Sequence, residues 1–340
     1  MNKKNYGQFY TTNYKYILDS FVIPDNINII IEPFAGNGDL LNIFPQNVAV
    51  ECYDIEPKQT FITKRDTLLN PPTYCNKYVI TNPPYLARNK SDEKAIFNKY
   101  NYNDLYKCFI ECLINDPCIG GILIIPLNFW SSIRRTDCEL RQKFINTYYI
   151  SRMNVFEEQV FNDTSYTVCS FQFVKRNNQD FKIKTLIYPD KREFIINLDN
   201  TNNYTIGGEI YNLPQKNNII VERLTSKNIN SIGKTNILLK CIDDNENSLI
   251  RLQWIDNPDS YADKTPNLTG RSYASIVITP SIDENKQKKL IIDFNEYLMT
   301  NRNKYNSLFL TNYRESKNKM SRKRISFQLA FEIINYLVEI

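Results

Sequence analysis

The chain of 340 residues contains no histidine. A Ser-His-Asp triad, a histidine general base and a His-ligated zinc site are excluded together. Glycine is scarce, with 9 residues, so each Gly-x-Gly spacing carries more weight than usual. The 8 cysteines form no Cys-x-x-Cys pair, and Cys108 and Cys112 lie one helical turn apart in an apolar run. Without histidine a zinc site would need four thiolates, and no spacing suggests one, so no metal is expected. The cysteines read as buried, reduced thiols of a reducing compartment. No apolar run approaches the ~18 residues of a membrane span. No apolar signal region follows residues 1–6, so a cytoplasmic location is expected, in a bacterium or in the host cell of a virus.

What is present supports a folded chain. Hydrophobic residues at 42% and aromatics at 13% suffice for a core. The length suits one large domain or two ordinary ones. The net charge of +5 is uneven, at +1 over residues 1–176 and +4 over 177–340. The texture also changes near 176. Before it, β-branched runs at 27–31, 48–53, 79–81, 122–125 and 168–174 alternate with helical patterns at 104–115 and 134–147. After it come Asn-rich polar stretches, such as 197–204. Two domains are expected, 1–176 and 177–340. Apolar strands alternating with helices predict an α/β domain whose sheet is covered on both faces, with ligands at the carboxyl ends of the strands.

Four strand ends carry candidate chemistry. The first reads Glu32-Pro33-Phe34-Ala35-Gly36-Asn37-Gly38. Two glycines permit a tight turn and close approach of backbone to a ligand. No Gly-Lys-Ser/Thr follows, so phosphate cradling is not indicated, and a nucleoside site and an ordinary strand-to-helix turn both stay open. The second ends at Asp54-Ile55, where a carboxylate can accept ribose hydroxyls. The third carries Asp66, suited to accept from an adenine amino group or to sit in a solvated turn. The fourth runs into Asn82-Pro83-Pro84-Tyr85. Two prolines remove two backbone donors and stiffen the turn. The Asn82 side-chain oxygen and the Pro83 carbonyl then become fixed acceptors suited to a planar amino group. Accepting both of its hydrogens would favour pyramidal geometry and release the nitrogen lone pair, and Tyr85 could stack on the target.

In these motifs the chain resembles the gamma-class N6-adenine DNA methyltransferases, the kind found in type II restriction–modification systems, over residues 5–176. Gly7-Gln8-Phe9-Tyr10-Thr11-Thr12 resembles the family's N-terminal cofactor motif, with Thr12 where the family usually has proline. The resemblance implies a Rossmann-like S-adenosylmethionine-dependent methyltransferase fold, with a mixed seven-stranded sheet and helices on both faces. It implies S-adenosyl-L-methionine as cofactor, held by Thr11, Glu32, Pro33, Phe34, Ala35, Gly36, Gly38, Asp54, Ile55 and Asp66, with Phe109 against the adenine. Asn82, Pro83, Pro84 and Tyr85 match the catalytic motif, and Phe161 matches the segment whose phenylalanine stacks on a flipped base.

The second half would be a smaller α+β target-recognition domain. Lys317, Lys319, Arg322, Lys323 and Arg324 form a basic run suited to phosphate, or else a charged helix start. From Ile325 onward the spacing predicts a docked C-terminal helix. The polar loop at 261–273 could reach base edges through Arg271. The function implied is methyl transfer to a flipped-out adenine of duplex DNA, by a monomer or weak dimer, with a cognate restriction endonuclease acting separately. The rivals are RNA adenine-N6 methylation, protein glutamine-N5 methylation and an inactive DNA-binding specificity subunit.

Overall fold

The computed structural model describes residues 7, 9–161, 164, 166–177, 180–242, 244, 248–262, 272–315 and 321–339, except for the side chains of 311–315, 321 and 322. The chain divides into two compact units: Met1–Thr205 with Arg314–Ser321, and Ile206–Tyr313 with Arg322–Ile340.

The first unit is built on a nine-stranded sheet. Its strands are β1 (Ile29–Glu32), β2 (Ala49–Asp54), β3 (Thr63–Lys64), β4 (Tyr78–Thr81), β5 (Gly120–Pro126), β6 (Tyr148–Phe156), β7 (Val168–Lys175), β8 (Lys182–Tyr188) and β9 (Arg192–Asn197). They lie in the order β3-β2-β1-β4-β5-β7-β6-β8-β9. β1 to β5 are parallel. β7 runs antiparallel between β5 and β6. Every residue of β4 and β5 is buried, which requires cover on both faces of the central sheet. The helices of this unit are α1 (Tyr14–Ile17), α2 (Ala95–Tyr100), α3 (Leu105–Asn115), α4 (Asn128–Ser131) and α5 (Arg135–Thr147). α3 and α5 pack together. Between them Lys107 Nζ lies 2.6 Å from Asp137 Oδ1, with both side chains buried. Asn103 Oδ1 accepts from the same ammonium at 3.0 Å, and Ser132 Oγ donates to the same carboxylate at 2.6 Å, so the buried charges are hydrogen-bonded as well as paired.

Two expectations are corrected here. The sheet has nine strands and not seven, and the first unit does not end at 176. β8 pairs in parallel with β6, and β9 returns antiparallel to β8. Ile183, Leu186, Ile187 and Tyr188 are buried there, so the polar texture after 176 is the exposed side of two more strands. All eight cysteines are unpaired, but Cys75 is exposed and Cys138 half-buried.

The second unit holds a four-stranded antiparallel sheet, β10 (Ile220–Arg223), β11 (Lys234–Lys240), β12 (Arg251–Trp254) and β13 (Tyr273–Thr279), in the order β10-β13-β11-β12. Helix α6 (Glu284–Tyr305) packs on β11 and β12, and α7 (Phe327–Leu337) packs on α6 and β10. The expected α+β make-up and C-terminal helix are therefore both present. Leu329, Ala330, Ile333 and Ile334 form the buried stripe of that helix, and Val338 is buried just past its end. The chain also forms a two-stranded ribbon of β14 (Thr311–Glu315) and β15 (Ser321–Arg324). Among the described residues no helix is long and apolar enough to cross a membrane.

Candidate active site

In an open parallel sheet, ligands bind beyond the carboxyl ends of the strands where the strand order reverses. Here that point is β1, flanked by β2 and β4, and a cavity of about 280 Å³ opens there. Glu32, Asp54 and Asn82 line it from the ends of these three strands. Glu32 is buried, and its Oε2 has no hydrogen-bond partner. Burial, then the charges of Asp54 and Asp39, hold its carboxyl well above the usual carboxylate range.

The glycine turn is fastened to the second strand. Gly36, at φ +54°, donates its N–H to Asp54 Oδ2 at 2.8 Å. Asp54 Oδ1 accepts from the Glu56 N–H at 2.8 Å. Asp54 therefore shapes the turn as well as facing the cavity. Asp66 Oδ1 accepts from the N–H groups of Leu68 and Leu69 at 3.0 and 2.9 Å, which fixes the third strand end. Phe34, Ala35, Ile55 and Asp66 also line the cavity.

Three expected contacts are absent from that lining. The Pro33 carbonyl accepts from Thr67 Oγ1 at 3.0 Å. Gly38, at φ +85°, carries the left-handed residue that starts the short 3-10 turn Asp39–Ile43. Phe109 is fully buried one layer below, with its ring edge-on to Phe34 at 4.9 Å. Leu68, Ile96, Phe97 and Leu105 are among the apolar residues that do line the cavity.

The fourth strand end is clasped by the N-terminal segment. The Tyr85 N–H donates to the Gly7 carbonyl at 2.9 Å. Gly7 sits at φ +66°, and a Cβ there would lie 2.7 Å from the Tyr85 carbonyl carbon, so only glycine allows this approach. Asn82 Nδ2 donates to the Phe9 carbonyl at 2.9 Å and to Thr11 Oγ1 at 3.1 Å. The Tyr85 hydroxyl lies 2.5 Å from Asn82 Oδ1 and 2.8 Å from the Ile124 carbonyl.

Asn82 and Pro84 line the cavity, whereas Pro83, Tyr85 and Phe161 do not and are buried. Phe9, which does line it, touches both rings, with centroids 5.3 Å from Tyr85 and 6.4 Å from Phe161. The two rings expected to hold a flipped base are thus covered by a third.

Phe9 and Tyr10, read only as part of the Gly7–Thr12 motif, line the cavity, as do residues that sequence reasoning did not name as site residues: Asp39, Arg65 and the stretch Ser91, Asp92, Glu93, Ala95, Ile96 and Phe97. The adjacent acids Asp92 and Glu93, soon after the double proline, were the available signal. Of the proposed DNA contacts, Arg271 lies outside the described residues, as do Lys317, Lys319 and the side chain of Arg322. Lys323 is corrected: it is buried, and its Nζ donates to the Asn306 carbonyl at 3.3 Å, so it is not offered to phosphate. Arg324 pairs through its backbone with Ile242. Arg322, Lys323 and Arg324 lie on β15 and not at a helix start, because α7 begins at Phe327, behind the N-cap Ser326.

Five parallel strands, an antiparallel seventh between the fifth and sixth, and an acid-lined cavity at the reversal point define the class I S-adenosylmethionine-dependent methyltransferase fold. The family model of the Eco57I restriction-modification methylase matches residues 53–161, about a third of the chain. No curated protein matches the chain. Among solved structures, a type I restriction–modification system complex is 13% identical, with a TM-score of 0.44, covering 55% of this chain and 47% of that one. The type I methyltransferase subunit from Streptococcus thermophilus is 13% identical, with a TM-score of 0.41 and coverages of 56% and 51%. The EcoKI M protein is 15% identical, with a TM-score of 0.34 and coverages of 47% and 44%. The chain spans about half the length of these structures.

Proposed function

We propose that the chain is a restriction–modification DNA methyltransferase that methylates the N6 amino group of adenine. The observation that carries this is Asn82: it lines the same cavity as Glu32, Asp54 and Asp66, within a stiff Asn-Pro-Pro-Tyr turn. The cavity fits a cationic nucleoside cofactor. The unpartnered Glu32 Oε2 suits an ammonium, Asp54 suits ribose hydroxyls, and Asp66 suits an adenine amino group. When bound, S-adenosylmethionine supplies an electrophilic methyl group. The chain supplies positioning and polarisation. Asn82 Oδ1 and the Pro83 carbonyl accept from the target amino group, which leaves its nitrogen lone pair exposed on the cavity side. An adenine inside a duplex cannot reach this turn, so it must be rotated out. Phe9 must shift before Tyr85 and Phe161 can stack on the base. No strong base is required, because the proton is lost after methylation has made the nitrogen acidic, which suits a chain without histidine. Residues 206–313 and 322–340 are taken as the target-recognition unit, with Arg271, Arg322 and Arg324 as DNA contacts.

The test offers labelled S-adenosylmethionine to the protein together with duplex DNA, RNA or a release factor. Label is expected in N6-methyladenine of duplex DNA, and label only in RNA or protein refutes the assignment. Asn82→Ala should lower the single-turnover rate by about 10²–10³ with cofactor affinity kept. A rate within about tenfold of wild type removes Asn82 from the chemistry.

A further inference from the structure

Asparagine can serve as acceptor for the target amino group in only one of its two amide orientations. The oxygen must face the target, and the nitrogen must face away. The Phe9 carbonyl, 2.9 Å from Nδ2, can only accept. With the amide turned over, two acceptor oxygens would oppose each other there. The second hydrogen of Nδ2 points to Thr11 Oγ1 at 3.1 Å. Thr11 is 4% exposed, so water cannot readily replace its hydroxyl.

We propose that Thr11 is a positioning residue for Asn82: its hydroxyl, together with the Phe9 carbonyl, holds the amide with Oδ1 toward the target. This rests on the reading of Asn82 given above. It gives Thr11 a role in the chemical step beyond the cofactor contact implied by resemblance. The anchor of the N-terminal segment is separate, since the Tyr85 N–H binds the Gly7 carbonyl at 2.9 Å. Loss of the Thr11 hydroxyl therefore leaves one amide hydrogen of Asn82 without its acceptor and loosens the amide, while the segment stays attached.

The test compares Thr11→Val, Thr11→Ser and Asn82→Ala in the full chain. S-adenosylmethionine affinity is measured by calorimetry, which also reports that each variant is folded. The single-turnover rate on duplex DNA is measured at saturating cofactor. Thr11→Val is expected to slow the step about tenfold with affinity changed less than about twofold, and Thr11→Ser to restore most of the rate. In the Asn82→Ala background, Thr11→Val should have no further effect. Weakened affinity with an unchanged rate would return Thr11 to the cofactor, and fully additive losses would break the link to Asn82. If Asn82→Ala alone keeps the wild-type rate, the reading of the turn fails first, and this inference falls with it.

Discussion

Glu32 is the residue at which binding and stability oppose each other. Its carboxyl is buried beside Asp54 and Asp39 and is held well above 4.5. The folded protein then binds a proton at Glu32 that the unfolded chain has released, so stability falls as pH rises from about 4.5 through the raised value. Glu32→Gln removes this dependence. The ligand-free variant should melt above wild type at alkaline pH and gain less at acidic pH, as scanning calorimetry at the two pH values would reveal. Cofactor affinity should fall by tenfold or more, since a hydrogen bond to a charged group contributes about 1.5–3 kcal/mol. Equal melting temperatures at alkaline pH would refute the buried, protonated state. The acids of this site were legible because each follows an apolar strand. Which of Phe34 and Phe109 faces the ligand was not, because both are aromatic and their order in depth is set by packing.

Helix α3 shows the same opposition at the scale of an element. Asp104 stands at its N-cap, and burial pushes its carboxyl up to about 7, against the pull of Lys107. Its Oδ1 is buried without a hydrogen-bond partner. Since the folded value is raised from 3.8, this group makes the protein lose stability as pH climbs from about 4 to about 7. Asp104→Asn should flatten the dependence of the urea midpoint on pH across that range, and an unaltered slope would place the titration elsewhere. α3 and α5 were legible to within a residue, because their apolar spacing is regular. Strand β6 was missed. Ser151, Arg152 and Asn154 break its apolar run, and Asn154 is buried only because its Nδ2 reaches the Asp19 carbonyl at 2.8 Å, a partner 135 residues away.

At the scale of the molecule, the second unit contains a buried ion pair, Asp244 with Arg302. Asp244 accepts from Arg302 Nη2 at 2.7 Å, from Ser307 Oγ at 2.5 Å and from the Ile250 N–H at 2.9 Å. Burial alone would raise its carboxyl, but the hydrogen bonds from Arg302 and Ser307 outweigh it and hold the group below 3.8. Its contribution is therefore complete above about pH 4 and is lost as pH falls through the depressed folded value. Asp244→Asn should cost about 3–5 kcal/mol at neutral pH, because it leaves a largely buried guanidinium unpaired. The loss should shrink in strong acid, and a denaturant series at two pH values would test both. The composition of this unit was legible, but its boundary was not. Residues 177–205 look like a new domain by their polar texture, yet they complete the first sheet as β8 and β9.

The Tyr85 hydroxyl has one hydrogen and two acceptors, Asn82 Oδ1 and the Ile124 carbonyl, within 2.5 and 2.8 Å. A single proton cannot serve both at once. When the site is empty, it can cap the asparagine oxygen and spare the enzyme an unsatisfied buried acceptor. When an amino group donates to that oxygen, the phenol can turn to the strand carbonyl with no acceptor abandoned. The exchange trades one hydrogen bond for another, so the delivery of amino hydrogens to Asn82 that the proposed function requires is close to neutral in hydrogen-bond count.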